Sequence, residues 1–234
     1  MYKKQSMNMF LTHLIFKDKA YRDMAKNHKG YKILDNSLIE LGGAMSMRDV
    51  LDAAELIKAD EVVLPDVFMD GEATIKSTTE ALEEYEEELK QYKTMAVVHG
   101  ETVDEWLRTF LYFSERLDVD VLGIPKVMHE QFTKLWLPGR PGLLGKVIDL
   151  TNKDIHLLGL WNSFDELRYY GDDLKKIRSA DTSLPSLLEL NKLSIFSERE
   201  DCDQRTIDLE RDKISNEGNT EGARKYVKRI VDSI

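Results

Sequence analysis

The sequence is poor in cysteine: of its 234 residues only Cys202 carries a thiol. A single thiol can form no internal disulfide, and it cannot supply the several sulfur ligands of a cysteine-rich zinc cluster. Long apolar runs are also lacking, because no stretch approaches the ~18 residues that a membrane-spanning helix needs. The basic start, residues 1–5, is not followed by the apolar core and cleavage site of a secretory signal. We therefore expect a cytoplasmic protein that neither spans a membrane nor carries a cysteine-rich zinc site.

Short motifs of several common enzyme classes are missing as well. The sequence has no Gly-x-x-x-x-Gly-Lys-Ser/Thr phosphate loop, no glycine-rich dinucleotide fingerprint and no His-Glu-x-x-His metal motif. The usual signals for ATP use and zinc-dependent hydrolysis are therefore absent, and we expect neither a metal nor another cofactor. The formal net charge of -10 argues against a surface broadly attracted to nucleic acid, although it leaves room for a local basic patch.

What the sequence does contain is a regular alternation of strand-like and helix-like segments at roughly thirty-residue spacing. Strands are predicted at residues 9–15, 31–35, 61–65, 94–98, 119–124, 154–159, 176–180 and 193–196. This alternation is typical of a compact (β/α)8 TIM barrel, and we expect one domain of this class over residues 1–234. An open doubly wound sheet is the alternative.

Helix starts are indicated by residues that can accept bonds from free backbone N–H groups. Ser46 precedes one apolar-periodic segment, and Thr102 with Glu105 forms a capping box before another. Ser163 with Glu166 offers a third start, before a helix that we expect to reach about Leu174.

Three of the predicted strands end on an aspartate, namely Asp35, Asp66 and Asp181. A single aspartate in such a place is often a helix N-cap or a turn residue. Three at the carboxyl ends of barrel strands, where the catalytic groups of such barrels sit, instead predict a site. We expect their side chains to face a common cavity.

Residues 129–146 interrupt the alternation and add positive charge, which predicts a functional loop. Its breaking residues are Pro138, Gly139, Pro141, Gly142 and Gly145, and its cations are Lys134, Arg140 and Lys146. We expect these cations, with Arg178 beside Asp181, to contact nucleic-acid phosphate, while Phe132 and Trp136 stack on a base. The alternative is that both aromatic residues belong to the core and that the cations are merely solvated.

The order of these features resembles that of the queuine tRNA-guanine transglycosylase superfamily. The matching segments are Asp35, Asp66, Val98-His99-Gly100, Leu122-Gly123, Leu158-Gly159 and Asp181-Thr182-Ser183-Leu184-Pro185. The resemblance spans about residues 9–190 and is strongest to the short phage relatives that act on DNA. It implies a TIM barrel that exchanges guanine for a 7-deazaguanine base.

The resemblance also implies roles for individual residues. Asp181 occupies the position of the nucleophile, which is followed closely by Leu-Pro in the family. Asp35 resembles the aspartate that serves proton transfer and the incoming base, and Asp66 the one that grips the guanine edge. The residues that would line the base pocket are His99, Gly100, Gly123 and Gly159.

The chain departs from the family at three points. Cys202 alone cannot form the zinc site of the tRNA enzymes. Asn36-Ser37-Leu38-Ile39-Glu40 follows Asp35 where the family has Ser-Gly-Gly-Phe-Gln, and His99 stands where the tRNA enzymes have glutamine.

The chemistry of base exchange suits these residue types. A carboxylate such as Asp181 can attack C1′ of a sugar and form a covalent glycosyl intermediate. The N1–H and exocyclic NH2 of guanine are adjacent donors that a second carboxylate such as Asp66 can accept together. A base inside a duplex is out of reach of such a pocket, so the nucleotide must be unpaired or flipped.

We therefore expect a pentosyltransferase that acts on guanine in DNA, in the host cytoplasm if the chain is encoded by a phage. A tRNA substrate is the second choice. A non-catalytic partner subunit of a transglycosylase and an unrelated barrel enzyme on a small metabolite stay open, as does assembly into a homodimer or with a protein partner.

Overall fold

In the computed structural model, which describes residues 7–128, 139–194, 196–198 and 228, short strands alternate with helices. The strands are Met7–Leu11 (β1), Tyr31–Asp35 (β2), Glu61–Val63 (β3), Lys93–Val97 (β4), Val121–Pro125 (β5), Asp154–Leu158 (β6) and Ile177–Ala180 (β7). They form one parallel sheet whose strand order follows the order of the chain. The predicted α/β class is thereby confirmed, and the strand order is compatible with a TIM-like barrel.

Helical segments lie in the intervals between the strands. They are Thr12–Lys17 (α1), Lys19–Asn27 (α2), Leu38–Leu41 (α3), Met47–Ile57 (α4), Gly71–Glu84 (α5), Glu86–Leu89 (α6), Val103–Glu115 (α7), Gly139–Val147 (α8) and Leu184–Leu190 (α9), with 3-10 segments at Ile148–Leu150 and Phe164–Lys176. Among the helices of the described residues, none has the length and apolar character that crossing a bilayer requires.

The chain divides into two compact units. The first comprises Met1–Ile124 and Leu150–Ile155, and the second Pro125–Asp149 and His156–Ile234. The expectation of one domain over residues 1–234 stays a prediction.

Strands β2, β3 and β4 of the first unit are buried along most of their length, as in parallel sheets covered by helices on both faces. Ile33, Leu34 and Val62 have no exposed surface, and neither do Met95 and Ala96. These continuous buried runs are the pattern from which the strands were predicted. The registers pair Ile33 with Glu61 and Val97 with Gly123, so successive strands end near one another at the carboxyl edge.

The predicted helix starts are confirmed by the caps. The Ser46 hydroxyl accepts from the Asp49 backbone N–H at the start of α4, and the Thr102 hydroxyl accepts from the Glu105 N–H at the start of α7. The Ser163 side chain accepts from the backbone N–H of Asp165 at the start of the 3-10 segment. Each bond satisfies one of the N–H groups that a first helical turn leaves without a partner.

Three sequence expectations need correction. The strand expected at residues 9–15 ends at Leu11, because Leu14 and Ile15 pack as the buried side of helix α1. The glycines and prolines of the expected loop do not prevent a helix at residues 139–147, since Pro141 lies in its first turn, where a missing N–H costs nothing. At Leu193 and Ser194 the backbone is not a strand, and Ile195 lies outside the described residues.

At the amino edge of the sheet, two aspartates that each precede a strand accept a hydrogen bond from the backbone of the neighbouring strand. The Asp60 carboxylate accepts from the Lys32 N–H at 2.8 Å, and the Asp120 carboxylate accepts from the Thr94 N–H at 2.9 Å. Each bond gives an acceptor to a backbone N–H that has no partner in the sheet. The two aspartates therefore stabilise this edge of the fold.

We expect Asp120→Ala to lower the free energy of unfolding by about 1 kcal/mol, because the buried Thr94 loses the acceptor of its N–H. Urea unfolding would measure the change. Asp118→Ala, a neighbouring exposed aspartate, is the control and should leave stability nearly unchanged. Equal stability of the two variants would contradict a stabilising role for the Asp120 cap.

Candidate active site

Asp181 of the second unit follows strand β7 directly and lies at the carboxyl edge of the sheet. Its backbone N–H donates to the carbonyl oxygen of Leu157 in β6 at 3.2 Å, which extends the pairing of β6 and β7 to this residue. The side chain is 32% exposed. Asp181 is therefore a strand-end carboxylate that solvent can reach.

The two oxygens of this carboxylate differ. Oδ1 accepts from the backbone N–H of Gly159 at 3.0 Å, and His156 Nε2 lies 3.2 Å from the same oxygen. Among the described residues, none donates to Oδ2. One oxygen is thus anchored, and the other is open to an incoming group.

The surroundings of Asp181 favour its charged form. Partial burial acts to raise its pKa, but the hydrogen bond to His156, the Gly159 N–H and the charge of Arg140 together hold that pKa below its usual value. Asp181 is therefore ionised at neutral pH. An ionised carboxylate is the form that a nucleophile requires.

Gly159 matters through its backbone. Its φ of +68° lies in the left-handed region, and a Cβ at this position would come within 2.9 Å of the Lys126 side chain. Only glycine adopts this conformation without strain, and the conformation belongs to the turn that carries the N–H bonded to Asp181. The residue expected to line a base pocket is thus also a donor to the candidate nucleophile.

A buried ion pair supports this turn. The Arg140 side chain is 1% exposed, and its Nε donates to Glu166 Oε1 at 2.9 Å. The hydroxyl of Tyr170 donates to the same carboxylate, and burial raises the pKa of that phenol well above its usual value. Arg140 lies inside the second unit, so the expectation that it contacts phosphate from an exposed loop needs correction.

The same pair binds the backbone beyond strand β6 from two sides. Arg140 Nη2 donates to the Gly159 carbonyl oxygen at 2.8 Å and Nη1 to that of Leu158 at 3.3 Å. Glu166 Oε2 accepts from the Trp161 N–H at 2.6 Å. The pair therefore holds residues 158–161 in the shape that directs the Gly159 N–H towards Asp181.

The other cations expected to contact nucleic acid lie in different environments. Lys146 is exposed at the end of α8, as a phosphate contact requires. Arg178 is half-buried, and its Nε donates to the Ser179 hydroxyl at 3.1 Å. Lys134, with Phe132 and Trp136, lies outside the described residues.

Asp35 ends strand β2 in the first unit and organises the turn that follows. Its Oδ2 accepts from the Ser37 N–H at 2.8 Å, and its carbonyl oxygen accepts from the Thr12 hydroxyl at 2.6 Å. Ser37 has a φ of 63°, a conformation that such an aspartate turn supports. Asp35 as a whole is half-buried.

Asp66 of the first unit sits in a buried polar network. Its side chain is 5% exposed; Oδ1 accepts from Asn36 Nδ2 at 2.7 Å, and Oδ2 lies 2.7 Å from His99 Nε2. The backbone N–H of Met69 donates to His99 Nδ1 at 3.3 Å, which leaves the ring proton on Nε2, facing Asp66. Each carboxylate oxygen retains a second acceptor site, so the network does not exhaust the capacity of Asp66.

The two glycines expected in the base pocket of the first unit are buried. A Cβ on Gly100 would lie 2.4 Å from the Trp106 backbone nitrogen, so the packing of α7 against this position requires glycine. Gly123 lies within β5, and its carbonyl oxygen accepts from the Val98 N–H at 2.9 Å. Both glycines therefore have a packing or sheet role that is independent of any ligand.

Several residues of these networks were not among the predicted site residues, among them Asn36, His156, Glu166, Tyr170 and Ser179. Ser179 could have been found, because residues two apart on a strand share a face and Ser179 precedes Asp181 by two. His156 was visible as a polar residue inside an otherwise apolar strand. Among the described residues, no three His, Cys, Asp or Glu side chains gather as a metal site would need.

Comparison with known proteins adds no assignment: no protein-family model matches this chain, and no curated protein matches it.

We expect Glu166→Gln to lower the free energy of unfolding by about 3–5 kcal/mol, because it leaves the buried guanidinium of Arg140 without its counter-charge. Urea unfolding would measure the loss. Glu80→Gln, which removes a carboxylate from an exposed ion pair on α5, is the matched control and should change stability by less than about 1 kcal/mol. Similar losses in both variants would contradict the supporting role of the buried pair.

Proposed function

We propose that this protein is a base-exchanging pentosyltransferase that replaces guanine in DNA with a 7-deazaguanine, using Asp181 as the nucleophile. One observation carries the proposal: an ionised, partly exposed carboxylate at a strand end has one oxygen anchored by His156 and Gly159, and no described residue donates to the other. The resemblance of the segments around Asp35, Asp66, His99 and Asp181 to the transglycosylase superfamily supplies the reaction class. A closed (β/α)8 barrel and a cytoplasmic location belong to the same proposal.

The reaction proceeds in two displacements at C1′ of the deoxyribose. Oδ2 of Asp181 attacks C1′ while the bond from C1′ to N9 of guanine breaks, and the departing base takes up a proton. The incoming 7-deazaguanine then attacks C1′ through its own N9, the bond to Asp181 breaks, and the N9 proton is released. Two inversions retain the configuration of the sugar, as in retaining glycosidases.

The remaining residues assist these steps. Asp35 gives a proton to the departing guanine and takes one from the incoming base, so that no proton is gained or lost over the cycle. Asp66 accepts from the N1–H and exocyclic NH2 of the base through its remaining acceptor sites. No metal or other cofactor is needed in this scheme.

The polynucleotide must present an unpaired or flipped guanine, because the reacting C1′ and base edge are buried within a duplex. DNA is the first choice of substrate on the resemblance to the short phage relatives, and tRNA is the second. The net charge of -10 means that phosphate contacts depend on local cations such as the exposed Lys146.

A non-catalytic partner subunit is the second candidate function. The observation that favours it is the enclosure of Asp66 by Asn36 and His99, which would suit a structural network as well as a recognition site. The open oxygen of Asp181 favours catalysis.

We expect wild-type protein, incubated with a guanine-containing oligonucleotide and then denatured, to carry a covalent nucleic-acid adduct. Asp181→Asn should form none and should lose base exchange, because an amide cannot act as the nucleophile, while its affinity for free guanine should stay within about twofold of wild type. Gel electrophoresis under denaturing conditions and intact-mass spectrometry would detect the adduct.

The matched control is Asp172→Asn, which removes a carboxylate with an 88% exposed side chain from the same unit and should form the adduct at the wild-type rate. An equal adduct yield in Asp181→Asn would move the nucleophile elsewhere. No adduct from wild type on either DNA or tRNA oligonucleotides would contradict the proposed function and favour the partner subunit.

A further inference from the structure

His156 lies inside strand β6 with no exposed surface, yet it is bonded to the candidate nucleophile. Its Nε2 is 3.2 Å from Asp181 Oδ1, and its Nδ1 is 2.7 Å from the Ser179 hydroxyl oxygen. Because the imidazole is fully buried, it cannot touch a substrate. Any effect that it has on a reaction must pass through Asp181.

Hydrogen bonds run from Arg178 through Ser179 and His156 to Asp181. The proton positions along them can be assigned by starting from the outer groups. Arg178 Nε can only donate, and it donates to the Ser179 oxygen at 3.1 Å. The hydroxyl hydrogen of Ser179 is then free to be donated to His156 Nδ1, and the ionised Oδ1 of Asp181, which can only accept, takes its hydrogen bond from Nε2–H. The ring proton of neutral His156 therefore resides on Nε2 and points at Asp181.

The opposite tautomer would be unfavourable here. It would place the lone pair of Nε2 against the ionised Oδ1 of Asp181, where two acceptors repel each other and no proton is shared. Asp181 and the Ser179 hydroxyl thus favour the same tautomer, the one that can bind the carboxylate.

We propose that Arg178, Ser179 and His156 form a positioning relay that fixes the Nε2–H tautomer of His156, anchors Oδ1 of Asp181 and thereby selects Oδ2 as the attacking oxygen. The inference deepens the proposed function and rests on it for its catalytic consequence. The tautomer itself is a property of the resting protein. Its measurement is independent of any substrate.

The first experiment reads the tautomer by NMR, from the ring 15N shifts of His156. Wild type should show a protonated Nε2, and Ser179→Ala should show a larger share of the Nδ1–H form than wild type, because only Asp181 then favours the proton on Nε2. His99 is an internal reference, since its tautomer depends on the Met69 N–H and should not change. Ser114→Ala, which removes a hydroxyl bonded within α7, is the control variant.

A protonated Nδ1 in wild type would overturn the relay. So would an unchanged tautomer in Ser179→Ala.

The second experiment removes the ring with His156→Phe and follows the rate of adduct formation on a guanine-containing oligonucleotide. We expect a fall of about 10- to 100-fold, the effect of losing one charge-assisted hydrogen bond in the reacting state, with unchanged affinity for free guanine. His156→Gln keeps an N–H donor and should recover part of the rate. The Ser179→Ala rate should fall as well, so the relay remains testable even if His156→Phe does not fold.

The pKa of Asp181 can be measured from the NMR shift of its carboxyl carbon as the pH is changed. A variant of a merely structural residue would leave this pKa unchanged. The groups that act on this carboxylate are His156, the Gly159 N–H and the cation Arg140. Burial raises the pKa of Asp181, and the hydrogen bond from His156 lowers it. Without that bond, the pKa of Asp181 should be higher in His156→Phe than in wild type.

The outcomes separate the two proposals. Absence of an adduct from wild type would defeat the proposed function, while the NMR and titration results would still decide the relay. A wild-type adduct whose rate is the same in His156→Phe and Ser179→Ala would defeat the relay and leave the proposed function intact.

Discussion

The buried ion pair of Arg140 and Glu166 is the constraint on which the carboxyl edge of the second unit depends. A guanidinium without exposed surface is tolerable only when its donors are matched, and here they bind a carboxylate and two backbone carbonyl oxygens. Those carbonyls belong to the turn after β6, so satisfying the cation also fixes the turn. Gly159 accepts the left-handed conformation that results and directs its N–H to Asp181. The charge state of Asp181 is therefore linked to packing that begins in helix α8.

The features that sequence reasoning predicted well are those decided by local chemistry. Buried strands such as β2 and β4 stand out as apolar runs, and the Ser46 and Thr102 caps are readable because a cap needs only its own turn. The end of β1 was missed because a short apolar run cannot be distinguished from the buried side of a helix by periodicity alone. The closed barrel stays a prediction, because the residues expected to form its eighth strand, where the structure describes them, are not a strand.

Arg140 illustrates why the environment of site residues was harder to predict than their positions. Among glycines and prolines it had the pattern of a solvated loop cation, but its partner Glu166 is 26 residues further along the chain. Glu166 in turn was interpreted as part of a capping box with Ser163, whereas its carboxylate binds Arg140, Trp161 and Tyr170. Pairings between distant segments leave no local pattern, so charge and spacing alone could not separate a buried ion pair from a surface patch.

Asp66 and Asp181 each lie beside a histidine, but the two sites differ in how many carboxylate oxygens accept hydrogen bonds from the protein. Both Asp66 and Asp181 lie within hydrogen-bonding distance of a histidine Nε2, and each histidine Nδ1 has a partner of its own, the Met69 N–H at His99 and the Ser179 hydroxyl at His156. At Asp66 both oxygens accept protein donors and the side chain is almost fully enclosed. At Asp181 the described residues bind only Oδ1, and about a third of the side chain is exposed. A carboxylate whose two oxygens are both held by protein donors suits fixed recognition of further donors, whereas an oxygen without a protein donor suits covalent attack, because no hydrogen bond competes for its lone pairs.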